Sequence, residues 1–412
     1  MKQILVHCEH NATKVALLED GRLVEYYVEK PKDEHAGSIF KGRVVNVLPG
    51  MQAAFVDIGQ ARNAFIYVDD LLEANLDKQT TEKPCISELI REGQELLVQV
   101  VREIDGSKGA KISTHYSIPG RFLVYMPFAD YVGISRKIES AEERSRLKDF
   151  GESVRQEGEG LIVRTVANGA SEKELLKDLS ELRELWAEIV RTANRVSTPA
   201  CVFRDLDMVP RLLRDLFNEQ IDELVINDAI KREEIEEQLQ QYAPHLMGRI
   251  RDYTERVPMP YFYGIYDTLE KSLRPKVWLD SGAYLIIDQT EALTVIDVNT
   301  GKFTGSVDLE QTAYETNLQA AEKIARLLRL RDIGGIIIVD FIDMGKEEHR
   351  IAVMDCMANS TRSDRTKTIV VGWTQLGLLE MTRKKVRASA DKLMYELCTH
   401  CGGTGKRYLS DV

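Results

Sequence analysis

The chain has 412 residues, 43% of them hydrophobic and 29% charged, and a formal net charge of -11. That length exceeds what a single hydrophobic core usually supports, so roughly two to four domains or subdomains are expected. No apolar run approaches the ~20 residues of a membrane span, the start (MKQILVHCEHNATKVALLEDG) reads as a polar-interrupted strand rather than a signal peptide, and the excess of acid argues against indiscriminate polyanion binding. A cytoplasmic protein is expected. Its cysteines, at 8, 85, 201, 356, 398 and 401, are not the even framework of a disulfide-stapled secreted domain, so reduced thiols are the default.

Residues 1–34 read as a β-hairpin, with Asp20-Gly21 as the tight-turn dipeptide. Between 38 and 116 lie short strands (SIFKGRVVNVLP, QAAFVDIG, NAFIYV, ELLVQVVREI, AKISTH) separated by Gly, Asn and Asp turns. Five such strands suggest a small barrel, of which the OB type is the commonest nucleic-acid-binding version. Phe55 and Phe65 are either core residues of that barrel or base-stacking rings, with Lys108 nearby in the GSKGAK turn.

The stretch 119–210 mixes strands (RFLVYMP, GLIVRTV) with a charged helix over about 171–195, and 211–250 is helical and acidic around a strand at DELVIND. In GLIVRT, Arg164 and Thr165 supply a guanidinium fork and a hydroxyl, which together can grip a phosphate.

A second α/β unit fills 274–390. It holds the hairpin AYLIIDQTEALTVIDVN, a helix over 308–331 with Asp308 and Gln311 as capping pair and Gly334-Gly335 as terminator, and the strand GGIIIVDFIDM. In LTVIDVN, Asp297 and Asn299 project from one face near the strand's end. In GGIIIVD an unbroken apolar run, expected to be buried on both faces, leads up to Asp340. Asp343 follows three residues later and on an extended chain would face the other way. An isolated Asp usually caps a helix or pairs with an Arg, but two strands of the same design point to a site. Oxygen-only ligands suit a hard cation such as Mg²⁺, which keeps several waters.

Residues 362–387 carry seven Lys/Arg against two acids, which is either a polyanion-facing surface or a solvated helix face. The C-terminal LCTHCGGTGK has the form of a zinc knuckle. Structural zinc wants four ligands, so either His400 and a distant residue complete a site begun by Cys398 and Cys401, or a second chain brings its own pair.

Taken together, FVDIG with a downstream aromatic, GLIVRT, RPKVWLDSGAYLIIDQTEALTVIDVNTGKF, RLRDIGGIIIVDFIDM, LGLLEMTRKKVR and CxxCGGTG resemble the bacterial ribonuclease E/G family over nearly the whole chain. The resemblance implies an α+β multidomain mosaic. An RNase H-like subdomain is split between 1–36 and 211–275. An S1-type OB barrel (37–117) and a 5′-sensor region (118–210) are inserted in it, and a DNase I-like catalytic subdomain (276–394) and a zinc-link (395–412) follow.

Position by position, the resemblance makes Asp297 and Asp340 the Mg²⁺ ligands and Asn299 the residue that hydrogen-bonds near the scissile phosphate. It makes Gly120, Val124, Arg164 and Thr165 the 5′-monophosphate pocket, and Phe55, Phe65 and Lys108 the RNA contacts of the barrel. Cys398 and Cys401 become ligands of a Zn²⁺ shared between protomers.

The implied activity is Mg-dependent, single-strand-specific endoribonuclease cleavage in rRNA processing and mRNA decay. It favours 5′-monophosphorylated RNA and leaves 5′-phosphate and 3′-hydroxyl ends. The sequence stops six residues after Lys406, so the small C-terminal domain and the degradosome-scaffolding tail of larger members are expected to be missing, and a homodimer is expected rather than a tetramer. A non-cutting RNA-binding protein is the rival reading, and the intact Asp297, Asn299 and Asp340 set argues against it.

Overall fold

The computed structural model describes residues 1–10, 12–29, 35–72, 84–102, 109–302, 308–385, 389–396, 398–401, 403 and 405. It forms two compact units, one from Met1–Lys30, Gln220–Glu234 and Gly248–Val412, the other from Pro31–Glu219 and Ile235–Met247.

The first unit contains two sheets. The amino-terminal segment is a meander of three antiparallel strands, Lys2–Glu9, Ala12–Glu19 and Arg22–Glu29. Asp20 and Gly21 both take left-handed φ (49° and 71°), as a two-residue hairpin turn requires. Lys2–Glu9 also pairs in parallel with Glu223–Ile226, which pairs in parallel with Ile250–Asp252. Five strands result where sequence alternation predicted a hairpin: the amino-terminal run makes three strands rather than two, and its parallel partner Glu223–Ile226, within the strand read at DELVIND, lies over 200 residues downstream, so the pairing leaves no local signal.

The second sheet has the order Lys276–Trp278, Tyr284–Gln289, Leu293–Asn299, Gly335–Asp340, Leu379–Arg383, Thr368–Trp373. Only Leu293–Asn299 and Gly335–Asp340 are parallel neighbours, and the helix Leu309–Leu330 makes the crossover between them. That helix and Glu347–Thr361 cover one face, where Leu285, Ile296, Val298, Ile337, Val339 and Met381 pack against Ala320, Ala321, Ile324, Leu328 and Met357.

The other face is open, with Ile336 50% exposed. This corrects the expectation that Gly335–Asp340 is buried on both faces: its apolar run serves a core on one side only. The crossover helix begins as predicted, Asp308 accepting the Gln311 N–H at 2.7 Å. The Gln311 side chain turns instead to Glu315, so the reciprocal half of the cap does not form. The helix ends at Leu330, and the left-handed residue just beyond it is Asp332, at φ 50°, rather than Gly334-Gly335. The buried Arg383 makes this conformation tenable by donating to Asp332 Oδ1 at 2.6 Å and to the Ile333 carbonyl at 3.0 Å.

In the second unit, Ile39–Leu48, Ala53–Asp57, Ala64–Tyr67, Lys111–Ser113 and Glu95–Arg102 pair in succession, and the last returns to the first. The result is a closed five-stranded barrel, consistent with the OB-type expectation. A four-stranded sheet (Val132–Ile134, Glu159–Val163, Leu123–Pro127, Ile118–Pro119) follows it in the chain. The helix Glu172–Arg195 packs Leu175, Leu179, Leu182 and Ile189 into the core of that sheet. Its start is a complete capping box between Ser171 and Glu174.

Candidate active site

The open face of the six-stranded sheet is where the acids converge. Register sets Asp297 directly beside Asp340 across the parallel pair. Thr294, Ile296 and Val298 point into the core, so Asp297 and Asn299 share the outer face. Asn299 donates from Nδ2 to Asp297 Oδ2 at 2.7 Å, which fixes the carboxylate and leaves a second amide hydrogen and the amide oxygen for other partners.

Burial against the sheet, followed by the charges of Asp297 and Asp343, pushes the Asp340 carboxyl above its ordinary value. Negative charge is thus gathered where a cation would relieve it. Asp343 lies beyond the end of the strand at Asp340, yet near enough for its charge to act on the Asp340 carboxyl.

Two residues that sequence reasoning missed hold the segment after Asp340. Asn317, fully buried on the crossover helix, bonds both backbone groups of Ile342, donating to its carbonyl at 2.8 Å and accepting its N–H at 3.0 Å. Glu310 accepts the N–H groups of Gly345 and Lys346 and meets His349 Nδ1 at 2.8 Å. The signal for Asn317 was present: a carboxamide on a face otherwise made of Ala313, Ala320, Ala321 and Ile324. Among the described residues no group of three or more His, Cys, Asp or Glu is arranged to cage a metal. Two carboxylates with the remaining positions left to water and substrate suit Mg²⁺.

In the second unit, Arg164 donates to the Gly120 carbonyl at 2.6 Å and to Asp215 Oδ1 at 2.7 Å. Thr165 shares a hydrogen bond with Ser135 at 2.7 Å. Asp178 accepts the N–H groups of Arg121, Phe122 and Leu123, and a Cβ on Gly120 would lie 2.6 Å from its Oδ1, so only glycine fits the strap without displacing it. Val124 is half-buried on the adjoining strand, with Pro119 and Ile162 as cross-strand partners. Gly120 and Arg164 are therefore in direct contact. Sequence reasoning missed Asp215, which pairs with Arg164, Ser135, which bonds Thr165, and Asp178, which holds the strap that follows Gly120. Burial alone would raise the Asp215 carboxyl, but the guanidiniums of Arg164 and Arg214 outweigh it and hold it below the usual range.

On the barrel, Phe55 and Phe65 are direct cross-strand partners. Their strand neighbours Ala54, Val56, Ala64 and Ile66 fill the interior, and both rings face outward, with Phe55 37% exposed. Tyr67 extends the surface, its ring meeting Phe65 edge to face at 5.4 Å, and Lys111 Nζ lies 5.8 Å from the Tyr67 centroid. Lys108 falls outside the described residues.

Cys398 is exposed, and the backbone N–H groups of Cys401 and His400 hold its thiol below the usual range. The Gly405 N–H points at Cys401 Sγ at 3.3 Å. Backbone amides turned toward both sulfurs suit bound thiolates. Cys8, Cys85, Cys201 and Cys356 are free and scattered. The basic run is less available than its charge count implied: Arg365 bonds Glu25, Arg383 is buried against Asp332 and Asp364, and Arg387 lies outside the described residues.

Residues 117–386 match the family model of the Ribonuclease E/G family. The chain is 41% identical over 411 residues to "Ribonuclease G" of Haemophilus influenzae and 40% identical over 410 residues to "Ribonuclease G" of Escherichia coli K12, covering 98% of this chain and 84% of each relative. It is 36% identical to "Ribonuclease E" of a Nostoc species over 98% of this chain and 58% of that relative. Among the described residues no helix is long and apolar enough to cross a membrane. With family-wide similarity running from end to end of the carboxylate strands and the Arg164 strap, the chain belongs to the ribonuclease E/G family.

Proposed function

We propose that this chain cleaves single-stranded RNA internally with one Mg²⁺ held by Asp297 and Asp340, prefers RNA bearing a 5′-monophosphate, and leaves 5′-phosphate and 3′-hydroxyl ends. Membership of the family makes it an endoribonuclease of RNA processing. Processing of rRNA and decay of mRNA are the roles the reading carries with it. The observation behind the cleavage reading is the register pairing of Asp297 with Asp340, with the Asn299 amide on the first and a raised carboxyl on the second.

Bound there, a hydrated Mg²⁺ would supply Lewis-acid polarisation and neutralise charge on the scissile phosphate. Asn299 fixes the Asp297 carboxylate and offers its remaining N–H to a phosphate oxygen. Asn317 holds the backbone of Ile342, between Asp340 and Asp343 in the chain. Arg164 and Thr165 would grip a 5′-terminal phosphate by charge-assisted hydrogen bonds, with Gly120 and Val124 lining the place. Phe55, Phe65 and Lys108 would hold unpaired bases without much sequence preference. Cys398 and Cys401 of two chains would share one Zn²⁺.

Cleavage of matched single-stranded oligonucleotides bearing 5′-monophosphate or 5′-hydroxyl, titrated with Mg²⁺, tests the reading. Metal-dependent internal cuts, faster on the monophosphate, are expected. Metal-independent cleavage, or RNA binding with no cleavage at any Mg²⁺ concentration, would overturn it.

A further inference from the structure

The rows of the sheet that hold the acids continue into a cluster that the cleavage reading leaves unused. One row runs Lys276, Ile286, Asp297, Asp340, and the next runs Trp278, Tyr284, Asn299. Members of a row lie on the same face, so Lys276, Trp278 and Tyr284 share the surface of the carboxylates. Two strand spacings, about 10 Å, separate Trp278 from Asn299.

The Trp278 and Tyr284 rings meet edge to face at 5.3 Å and 64°. Lys276 Nζ sits 3.6 Å from the Tyr284 centroid and 4.4 Å from that of Trp278. Trp278 is nevertheless 49% exposed. The cluster is braced by the loop that follows Asn299. Gly301 takes φ 56° and approaches so closely that a Cβ there would lie 2.9 Å from Tyr284 Cδ1, while the Lys302 N–H bonds the Gly282 carbonyl at 3.1 Å.

An indole left half in water, with a cation over its ring and the Asp297 and Asp340 pair in the adjoining row, has the parts of a base platform. The π-face takes any base and the ammonium takes that nucleotide's phosphate. We propose that Lys276, Trp278 and Tyr284 form a stacking subsite for one nucleotide flanking the scissile phosphate of single-stranded RNA. The inference rests on the reading of Asp297 and Asp340 as the cleavage site. It assigns the subsite the role of fixing which phosphate lies over the acids. Stacking on a π-face is tolerant of base identity, so the subsite favours an unpaired base rather than a particular one.

The test is an abasic scan. A set of 5′-monophosphorylated single-stranded oligonucleotides with one cleavage site carries an abasic residue moved one position at a time across that site. Wild type, Trp278→Ala, Trp278→Phe and Lys276→Gln are each assayed for kcat and KM. Wild type should lose ~5- to 100-fold in kcat/KM at one flanking position. Trp278→Ala should lose a similar factor on the intact oligonucleotide and stop responding to the abasic residue there, and Trp278→Phe should recover most of the loss. Lys276→Gln, an exposed change, should raise KM several-fold with kcat kept.

If Trp278→Ala cleaves the intact oligonucleotide like wild type, or responds to the abasic residue as wild type does, the platform is overturned while the cleavage reading stands. An unchanged KM in Lys276→Gln removes the ammonium from it. Failure of wild type to cut any member of the set with Mg²⁺ present overturns the cleavage reading itself, and the subsite falls with it.

Discussion

At the scale of single residues, the outer sheet face sets Asp297 beside Asp340, and burial together with the charges of Asp297 and Asp343 raises the Asp340 carboxyl. If Asp297 and Asp340 hold the metal as proposed, Asp297→Asn or Asp340→Asn should abolish cleavage while RNA affinity stays within a few-fold, because each would remove a ligand without touching the barrel. Single-turnover cleavage beside a binding isotherm reads both. Asp343→Asn should be milder, since its charge reaches the site through Asp340. A loss as severe as that of Asp340→Asn, or an Asp297→Asn variant that still cuts, would sink the assignment. At the other candidate site, Arg164→Gln or Thr165→Val should erase the preference for 5′-monophosphate over 5′-hydroxyl. A charge-assisted contact is worth ~1.5 to 3 kcal/mol, so the ratio of kcat/KM values should fall by roughly one to two orders of magnitude. Cleavage of 5′-hydroxyl RNA should barely change. Asp215→Asn, which loosens the grip on Arg164, should move the ratio the same way by less. A ratio unmoved in both Arg164→Gln and Thr165→Val removes the sensor.

At the scale of elements, the crossover helix Leu309–Leu330 is tied to the strand Arg22–Glu29 by a buried ion-pair cluster. Glu25 accepts from Arg329 at 2.8 Å, from Arg365 at 2.7 Å and from the Tyr27 hydroxyl. Burial pushes the Glu25 carboxyl up, but the Arg365 and Arg329 guanidiniums and the Tyr27 hydroxyl outweigh it and hold it at about 2. A depressed carboxyl contributes stability that is fully present above its unfolded value near 4.5 and is lost as pH falls toward about 2. The contribution is about 3 kcal/mol. Glu25→Gln should therefore lower the unfolding free energy at neutral pH by about that much and flatten its fall below pH 4.5. Urea melts from pH 7 to 3 decide it, and an equally steep acid limb in the variant would show that Glu25 is not its source. These elements also show what the sequence made legible. Alternation and turn dipeptides located the barrel strands and placed Asp297 and Asn299 on one face, because a strand's period is local. The terminator of the crossover helix was misread because a left-handed Asp332 is tenable only through Arg383, 51 residues away. The one-sided burial of Gly335–Asp340 was missed because outward isoleucines look like inward ones. For Phe55 and Phe65 the sequence left core and surface both open, and barrel closure decided that they face out.

At the scale of the whole molecule, the zinc motif turns ligand counting into a statement about assembly. Tetrahedral structural zinc needs four ligands. The knuckle offers Cys398 and Cys401, the remaining cysteines are scattered, and no cage of three or more ligands exists among the described residues. Two chains pooling their pairs complete the set, which predicts a homodimer with one zinc per two chains and metal binding coupled to association. Cys398→Ser should release the metal and shift the molecule toward monomer. Activity should fall with it if an RNA whose 5′ end is held on one protomer is cut on the other. Elemental analysis and light scattering on wild type and Cys398→Ser, with chelator-treated wild type as the metal-free control, read stoichiometry and mass together. The chelated protein should dissociate and recover on adding zinc, whereas Cys398→Ser should not recover. One zinc per chain, or a dimer that persists without zinc, would defeat the shared site.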